Sequence, residues 1–477
     1  MSKKAPAPVV TLGPRGVARI RSGHPWVYRS DIAAADGIPP GALVRVADSR
    51  GKALGTALYS SSSQIAIRMI STTSGRHEGE TTDLPALIAD RIRAAIAYRK
   101  QFVSGTDAYR VVFSEADFLP GLIIDRYNDV ISVQILTQAM DAEPVRGAVI
   151  ATLVEELKPE GIVERVDPRI RELEQLPPRP PGLLWGKKSS TIITMNGTVL
   201  EKQDSGHQLR ARSLRGNLGE AAAFSPESPE PKGQSPSSEN GLPGTESQKP
   251  YRNERRTTDD GRLGVRFHYD ALEGQKTGAF LDQRENYAAA ARYAHGDALD
   301  VFCYQGGFAL HLALACSSVT GVDSSRPALE MAEKNAELNA QLLNGQLPNR
   351  KEIEWIEGNA FDLLRDYAAS GRRYDTLILD PPAFAKTRRD LDKALSGYKE
   401  LNLRALKMLG PGGILITCSC SFHVGWADFA ETVAAAARDA HRYLRLLENR
   451  TQAKDHPTLL NVPETSYLKC FVFNVTN

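Results

Sequence analysis

Alternation of strand-like and helix-like segments after Gly264 constrains the fold more than any other feature of this sequence. Seven short apolar runs are candidate strands, at 298–303, 318–323, 353–358, 374–380, 413–419, 443–448 and 467–474. Helical patterns separate most of them, notably at 326–343 and 393–409. This order predicts a doubly wound, mostly parallel α/β sheet. Because such sheets bind ligands beyond the carboxyl ends of their strands, we look for a site at those ends.

The first candidate strand runs into a turn that contains two adjacent glycines. Residues 299–308 read LDVFCYQGGF, an apolar run followed by Tyr304, Gln305, Gly306 and Gly307. Strand, tight turn and helix are predicted here. Adjacent glycines let a backbone pass close to a ligand, and a helix start offers free N–H groups. We expect Tyr304, Gly306 and Gly307 to face a nucleotide-like cofactor, although glycine pairs also occur at junctions without a ligand, and the GxGxxG spacing is missing.

Length and composition indicate a multidomain globular protein. A chain of 477 residues is too long for one ordinary core, and 42% apolar with 24% charged residues is typical of soluble domains. No apolar segment follows the two lysines of residues 1–8, so neither a secretory signal nor a membrane span is expected. Five cysteines without framework spacing favour free thiols in a reducing cytoplasm. No residue is assigned to a metal.

Composition also predicts where the domains divide. The predicted parts are a small β module at 1–72, a linker at 73–82, a central α+β part at 83–203, a disordered insertion at 204–262 and the doubly wound part at 263–477. The insertion is rich in Pro, Ser, Glu, Gly and Asn and cannot bury enough apolar surface to offset its ordering entropy. It interrupts a predicted strand pair at 190–195 and 265–269.

The first part combines short apolar runs with excess positive charge. Runs at 17–20, 42–46, 53–59 and 65–70 predict a small, closed, mostly β module. Residues 1–70 carry ten Lys or Arg against three Asp, which suggests a polyanion partner or a solvated basic surface. Arg21, His24, Trp26 and Arg29 combine basic groups with an aromatic ring, as contacts to looped RNA do. For Trp26, a place in the core is the alternative.

Polar residues follow the ends of three later strands. Asp323 ends the second strand, about twenty residues beyond the glycine turn, where a carboxylate can bind both ribose hydroxyls or cap a helix. Asn359 follows the third strand and offers an amide to an adenine edge. Asp380 ends the fourth strand before two prolines and Phe384. Rigid prolines fix a carboxylate beside a stacking surface, which favours a binding site.

The fifth strand ends in TCSCSFH, with Cys418 and Cys420 two residues apart. Carbon 5 of cytosine is a poor nucleophile, so its methylation requires a thiolate that adds to carbon 6. A cysteine at a strand tip facing a methyl donor suits this covalent route. Strand parity places both cysteines on one face and does not choose between them. We favour Cys420 because it lies nearer the tip; two small core residues are the alternative.

These motifs together resemble the PUA-domain class I S-adenosylmethionine (SAM)-dependent methyltransferases of 23S ribosomal RNA that make 5-methylcytosine. The matching segments are 21–27, 118–127, 273–284, 380–384 and 419–421. The resemblance implies a Rossmann-like methyltransferase domain, an N-terminal PUA domain and a central α+β domain. It also implies that Cys420 is the nucleophile, that Asp380 and Phe384 meet the base, and that Lys276, Thr277, Asp282, Asp323, Asn359 and Asp380 surround SAM. Ala279 departs from the family, which commonly has an aromatic residue there.

The expected function is therefore cytosine-C5 methylation of 23S rRNA in rRNA processing, with SAM as cofactor. Two alternatives stay open: methylation of an exocyclic amine by the Asp380 motif, which needs no thiol, and an inactive RNA-binding factor for ribosome assembly. The expected partner is rRNA and not a membrane, and a homodimer is open.

Overall fold

A computed structural model describes residues 7–72, 83–195, 264–272, 279–346 and 352–477. Its N-terminal part comprises β1 (Val9–Leu12), α1 (Pro14–Arg21), β2 (Trp26–Tyr28), β3 (Ile32–Ala34), β4 (Leu43–Asp48), β5 (Ala53–Tyr59) and β6 (Ile65–Thr72). The six strands form one sheet in the order β2-β6-β5-β4-β1-β3. The small β module is confirmed. Its predicted closure is wrong for the pairings within residues 7–72, which leave β2 and β3 at the two ends.

One predicted strand in this part is a helix. Residues 17–20 lie in α1, which has Pro14 in its first turn. Proline suits a helix start because its fixed φ is helical and its missing N–H would have had no partner there. Val17 and Ile20 are three residues apart and are both buried, as expected for one helix face packed on a sheet. The same apolar pair is therefore explained by helical spacing.

The central part forms a second sheet covered by helices. It comprises α2 (Leu84–Phe102), β7 (Ala108–Phe113), β8 (Leu122–Tyr127), β9 (Val130–Ile135), α3 (Glu143–Leu157), β10 (Gly161–Glu164), α4 (Pro168–Leu173) and β11 (Gly182–Gly186). The strand order is β11-β10-β9-β8-β7, with only β9 and β10 parallel in these described residues. Apolar residues of α2 and α3 pack on this sheet in one core.

A two-stranded ribbon joins the central part to the last one. β12 (Ser190–Met195) and β13 (Val265–Asp270) pair antiparallel, which confirms the predicted strand pair. The predicted insertion at 204–262 lies outside the described residues, and the boundaries predicted for the domains stay predictions. Buried residues of the ribbon, such as Ile193 and Phe267, belong to the same core as one side of the final sheet.

The last part contains the predicted doubly wound sheet. Its elements are α5 (Arg284–Tyr293), β14 (Asp297–Val301), α6 (Gly307–Leu312), β15 (Ser318–Asp323), α7 (Arg326–Leu338), α8 (Ala340–Gln346), β16 (Glu354–Glu357), α9 (Ala360–Ala369), β17 (Tyr374–Leu379), α10 (Leu391–Met408), β18 (Leu409–Ser419), α11 (Trp426–Asp439), β19 (Tyr443–Arg450) and β20 (Lys469–Thr476). The strand order is β16-β15-β14-β17-β18-β20-β19. The strands β16, β15, β14, β17 and β18 all run parallel to one another. β20 is antiparallel to both of its neighbours, β18 and β19.

This sheet separates two apolar cores. Residues of α5 and α6 pack on one face, and residues of α9, α10 and α11 pack on the other. Because β14, β15, β17 and β18 are parallel neighbours, their carboxyl ends meet at one edge of the sheet, where the predicted site residues lie. Of the helices in the described ranges, none combines the length and the apolar character that a membrane crossing requires.

Candidate active site

The turn after β14 has an unusual backbone conformation. Phe302, Tyr304 and Gly306 all have positive φ angles, of 70°, 49° and 85°. Bulky residues rarely adopt this left-handed region, and they do so where the surroundings fix the turn. The N–H of Gly306 donates to the carbonyl of Cys303 at 2.9 Å, which closes the turn in front of α6. The predicted strand, turn and helix are confirmed, with a helix of only six residues.

Both glycines of the turn are also required by packing. A Cβ atom on Gly306 would lie 2.9 Å from the ring of Trp355, and one on Gly307 would lie 2.5 Å from the ring of Tyr287. Either distance is shorter than real Cβ contacts, and Gly306 also needs its positive φ. The protein's own rings therefore explain the absence of side chains here. A cofactor contact of Tyr304, Gly306 and Gly307 stays a prediction.

Asp323 holds the turn in place from the end of β15. One of its carboxylate oxygens accepts the N–H of Tyr304 at 2.9 Å, and the other accepts the N–H of Ser325 at 2.9 Å. A carboxylate has about four lone-pair sites, so two remain for ribose hydroxyls. Asn359 has a structural role as well, since its amide oxygen accepts the N–H groups of Phe361 and Asp362 and caps α9.

Asp300, inside β14, was missed as a site residue. It is fully buried, and one carboxylate oxygen accepts the N–H of Ala309 at 2.8 Å, while the other oxygen has no partner among the described residues. Burial, and then the charge of Asp380, raise the pKa of Asp300 well above its usual range. A buried acceptor without a partner beside the glycine turn fits a cationic ligand group, such as the ammonium of an amino acid. A charge inside an apolar strand was the available sequence signal.

Asp380 is held at the end of β17 by the segment that precedes α5. The side-chain amide of Gln283 donates to Asp380 Oδ1 at 2.9 Å, and Gln283 is itself fixed by Asn286. Burial raises the pKa of Asp380 to about 7, the charge of Asp282 adds to this, and the bond from Gln283 opposes it. With its pKa raised this far, the Asp380 carboxyl can donate a hydrogen bond when protonated and accept one when ionised. Gln283 lies within the resembling segment but was not singled out.

The structure separates the two cysteines that strand parity left equivalent. Cys418 is fully buried in the core beside Cys470, and burial raises its pKa well above the usual value. Cys420 lies one residue beyond β18 and is partly exposed, with its Sγ atom 3.9 Å from the carbonyl oxygen of Pro381. The cysteine thus meets the Asp380 motif directly. Of the two cysteines, Cys420 is the one that a substrate can reach, and its role as nucleophile stays a prediction.

Aromatic rings and hydroxyl groups pack against the Asp380 motif and the Cys420 motif. The ring of Phe384 lies 4.8 Å from that of Tyr398 and 6.0 Å from that of Phe361. The Tyr398 hydroxyl hydrogen-bonds to Ser419 and Ser421, each at 3.0 Å. The two serines flank Cys420, so α10 fixes the backbone on both sides of the thiol. Phe384 is partly buried, and stacking on a base stays a prediction.

The remaining predicted residues lie elsewhere or outside the described residues. Arg21 is exposed, with a side chain 61% accessible. His24 pairs with Glu464 at 3.2 Å, Trp26 donates to Glu115 at 2.9 Å, and Arg29 donates to the carbonyls of Ser60 and Ser63 at 2.9 Å. Each of these three has a partner within the protein. Lys276 and Thr277 fall in 273–278, outside the described residues. Asp282 accepts the Tyr467 hydroxyl at 2.6 Å.

Sequence comparisons show which family has this combination of parts. Residues 10–72 match a family described as PUA-like domain, and residues 251–473 match S-adenosylmethionine-dependent methyltransferase. A Photobacterium profundum protein named ribosomal RNA large subunit methyltransferase I is 32% identical and covers 95% of each chain. One of the same name from Shewanella frigidimarina is also 32% identical, covering 98% of this chain and 99% of its own. The chain belongs to the ribosomal RNA large subunit methyltransferase I family. The predicted family resemblance is confirmed.

Solved structures agree with this family at the level of the fold. SMU.776, crystallised with SAH, has a TM-score of 0.69 at 16% identity and covers 98% of this chain and 100% of its own. A Streptococcus mutans structure of the same class has a TM-score of 0.68 at 15% identity, with the same coverage. The SAM-dependent domain itself is established by the family match of residues 251–473. Among the described residues, one oxygen of Asp300 has no partner and suits the ammonium end of SAM, and Asp323 uses two of its lone pairs, which leaves room for the ribose.

Proposed function

We propose that this chain transfers a methyl group from SAM to C5 of a cytosine in 23S rRNA through a covalent bond to Cys420. The observation that carries the proposal is the position of the Cys420 thiol, partly exposed and 3.9 Å from the backbone of the Asp380 motif. SAM supplies an electrophilic methyl group on a sulfonium. The relatives' name, ribosomal RNA large subunit methyltransferase I, supports the RNA class of the substrate.

Each part of the reaction has a group in this chain that suits it. The Cys420 thiolate forms a bond to C6, and the electron pair of the C5=C6 bond moves towards C5 and N3. Carbon 5 then takes the methyl group, and the pair of the broken S–CH3 bond stays on sulfur. Loss of the C5 proton to a solvent base restores the C5=C6 bond and expels the thiolate. One residue thus acts first as the nucleophile and later as the leaving group, which divides a difficult reaction into easier steps.

Asp380 stabilises the negative charge that develops on the cytosine ring during attack by the thiolate. With a pKa raised to about 7, its protonated form donates a hydrogen bond to N3 as negative charge moves there. Gln283 keeps the carboxyl oriented through its 2.9 Å bond to Oδ1. Phe384 lies beyond the two prolines and offers one face to the base. Asp282, Tyr304, Gly306, Gly307, Asp323 and Asn359 are proposed to surround SAM, together with Lys276 and Thr277.

The N-terminal sheet is proposed to contact the RNA outside the site. Exposed Arg21 can meet a phosphate, because its ionic contact to Asp48 is as long as 3.7 Å. His24, Trp26 and Arg29 are proposed contacts too, although each also stabilises a loop or a domain junction. His24 connects the N-terminal part to residues 463–465 of the methyltransferase part through Glu464. The RNA surface would thereby be aligned with the active site.

Replacing the two cysteines separately tests the covalent route. Cys420→Ala should lower methyl transfer from labelled SAM to protein-free 23S rRNA at least about a thousandfold, because the nucleophile is lost. Cys418→Ala is the matched control and should retain most activity, since Cys418 is fully buried. RNA that contains 5-fluorocytidine should trap wild-type protein in an adduct that survives denaturation, because fluorine cannot leave C5 as a proton does.

The alternatives predict different results in the same experiment. Full methyl transfer by Cys420→Ala, with methylated exocyclic amines in the product, would contradict the covalent proposal. Absence of SAM binding to wild-type protein by calorimetry would support the assembly-factor alternative. Mapping the methylated nucleotide after nuclease digestion identifies the target base directly.

A further inference from the structure

Lys469 is a buried cation at the start of β20. Lys469 is only 3% exposed and lies inside the apolar run YLKCFVF. In the antiparallel pairing of β18 with β20, Lys469 lies directly opposite Ser419. Opposed residues of such a pair project on the same side of the sheet. The lysine therefore lies beside the residue that immediately precedes Cys420.

The ammonium group of Lys469 is held by neutral acceptors. It donates to the carbonyl oxygen of Ser421 at 2.7 Å and to that of Tyr467 at 2.8 Å. None of the ion pairs formed within the described ranges includes Lys469. An ammonium has three N–H donors, and these two carbonyls take two of them. A buried charge that meets only carbonyl dipoles is costly unless an anion is present at some stage of the protein's work.

The geometry indicates where that anion forms. Ser419 and Ser421 flank Cys420, and Lys469 faces the first and bonds to the carbonyl of the second. The ammonium therefore bonds to the carbonyl of the residue that follows Cys420, and Lys469 is paired with the residue that precedes it. Burial lowers the pKa of Lys469 to about 8, and the charge of Cys420 opposes this shift. An opposing effect of this sign is the one expected of an anion at Cys420 near the ammonium.

We propose that the Lys469 ammonium is the counter-ion of the Cys420 thiolate. In this role Lys469 is a positioning residue: it touches neither RNA nor SAM but keeps the nucleophile ionised. A cation beside a cysteine lowers the thiol pKa, and only the thiolate attacks carbon. The inference rests on the proposed function for its biological purpose, but the thiol's ionisation can be measured without RNA.

Acidic groups also lie on the elements that pack around this end of β18, and their charges would oppose the ionisation of Cys420. Asp380 lies at the end of β17, next to Pro381, and Asp282 precedes α5 and accepts the Tyr467 hydroxyl. Tyr398 of α10 bonds to the two flanking serines, and Cys418 and Cys470 lie in the neighbouring strands. Against these groups, Lys469 is the cation contributed by β20.

The pH dependence of Cys420 alkylation in the full chain tests the proposal. The wild-type rate with iodoacetamide, followed at Cys420 by peptide mass spectrometry, should reach half its maximum below the ordinary thiol value of about 8.5. In Lys469→Gln, which keeps donors for the two carbonyls without the charge, the half-point should rise by about one unit. The rate near pH 7 should fall roughly tenfold. Lys469→Arg keeps the charge and should restore the low half-point, and Cys420→Ala gives the background.

Two results would overturn the proposal. One is a wild-type half-point at or above about 8.5, which needs no variant and so does not depend on whether Lys469→Gln folds. The other is an unchanged profile in a Lys469→Gln protein that still binds SAM by calorimetry. The 5-fluorocytidine adduct reports the proposed function separately. A missing adduct with a lysine-dependent thiol would refute the function alone, and an adduct with a lysine-independent thiol would refute the counter-ion alone.

Discussion

At the scale of single residues, Asp380 combines a functional need with a cost in stability. Its pKa in the folded protein is raised to about 7, mainly by burial, while an unfolded aspartate titrates near 4. A folded pKa above the unfolded one means that the folded state binds the proton more tightly. Stability from this group is therefore present at low pH and is lost as pH rises from about 4 through about 7.

Asp380→Asn should accordingly lower the activity and raise the stability of the protein. The amide cannot ionise but can still accept the bond from Gln283, so the Tm of the variant relative to wild type should rise by a few degrees between pH 5 and pH 8. Methyl transfer should fall at least about a hundredfold. Calorimetric scans at both pH values give the first quantity and labelled SAM the second. Cys420→Ala is the control that loses activity without this gain, and an equal Tm difference at both pH values would contradict the explanation.

Sequence reasoning identified the polar residues at strand ends better than those within strands. Asp323, Asp380 and Cys420 follow apolar runs, and the carboxyl ends of a parallel sheet bring such positions together. Choosing between Cys418 and Cys420 required knowing that β18 ends at Ser419, because strand alternation alone places both cysteines on the same face. Asp300 and Lys469 were missed because their runs read as strands, although a single charge in each run was visible.

At the scale of elements, the glycine turn is fixed by rings packed behind it. Gly306 and Gly371 both have positive φ, of 85° and 75°, but only Gly306 has a ring within 4 Å of the added Cβ. Gly371→Ala should therefore cost only the backbone strain of about 1–2 kcal/mol. Gly306→Ala should cost an additional 1–3 kcal/mol, approximately, because its methyl group meets Trp355.

Urea unfolding of the two glycine variants measures this difference, and calorimetry with SAM measures its effect on the site. We expect weaker SAM binding for Gly306→Ala and unchanged binding for Gly371→Ala. Equal unfolding free energies in the two variants would show that Trp355 moves aside without cost.

Element boundaries show where local patterns were sufficient and where they were not. The strand at 318–323 has the predicted bounds, since a short β-branched run leaves few alternatives. The strand prediction for residues 17–20 failed because a run of four residues with three apolar side chains fits a strand and a helix face equally well. Pro14, three residues earlier, was the signal for a helix start.

At the scale of the whole molecule, one buried aspartate joins the central and methyltransferase parts. Asp455 is fully buried and accepts bonds from the backbone N–H of Arg110 at 2.8 Å and from the side chain of Arg284 at 3.1 Å. Its carbonyl accepts the side chain of Arg99 at 2.7 Å. Arg99 and Arg110 belong to α2 and β7, and Arg284 begins α5. This junction connects the scaffold to the helix that follows Asp282 and Gln283.

Asp455→Asn should loosen that junction and change the acid sensitivity of the protein. Burial alone would raise the pKa of Asp455, but His456, Arg284 and the Arg110 N–H hold it well below its usual range. A lowered folded pKa gives stability that is present above the unfolded value of about 4 and is lost as pH falls below it. At pH 7 the free energy of unfolding of the variant should fall by about 3–5 kcal/mol, because the buried guanidinium of Arg284 no longer faces the carboxylate charge of Asp455.

Urea unfolding from pH 7 down to pH 3.5 measures this contribution against wild type. The difference between the two proteins should stay constant from pH 7 to pH 5 and become smaller below about pH 4, where unfolded aspartate is protonated. Asp366→Asn is the control, since Asp366 forms an exposed pair with Arg365 and its loss should change little. If the Asp455→Asn difference were already small at pH 7, or failed to narrow in acid, the ionised carboxylate would not be what holds the two parts together.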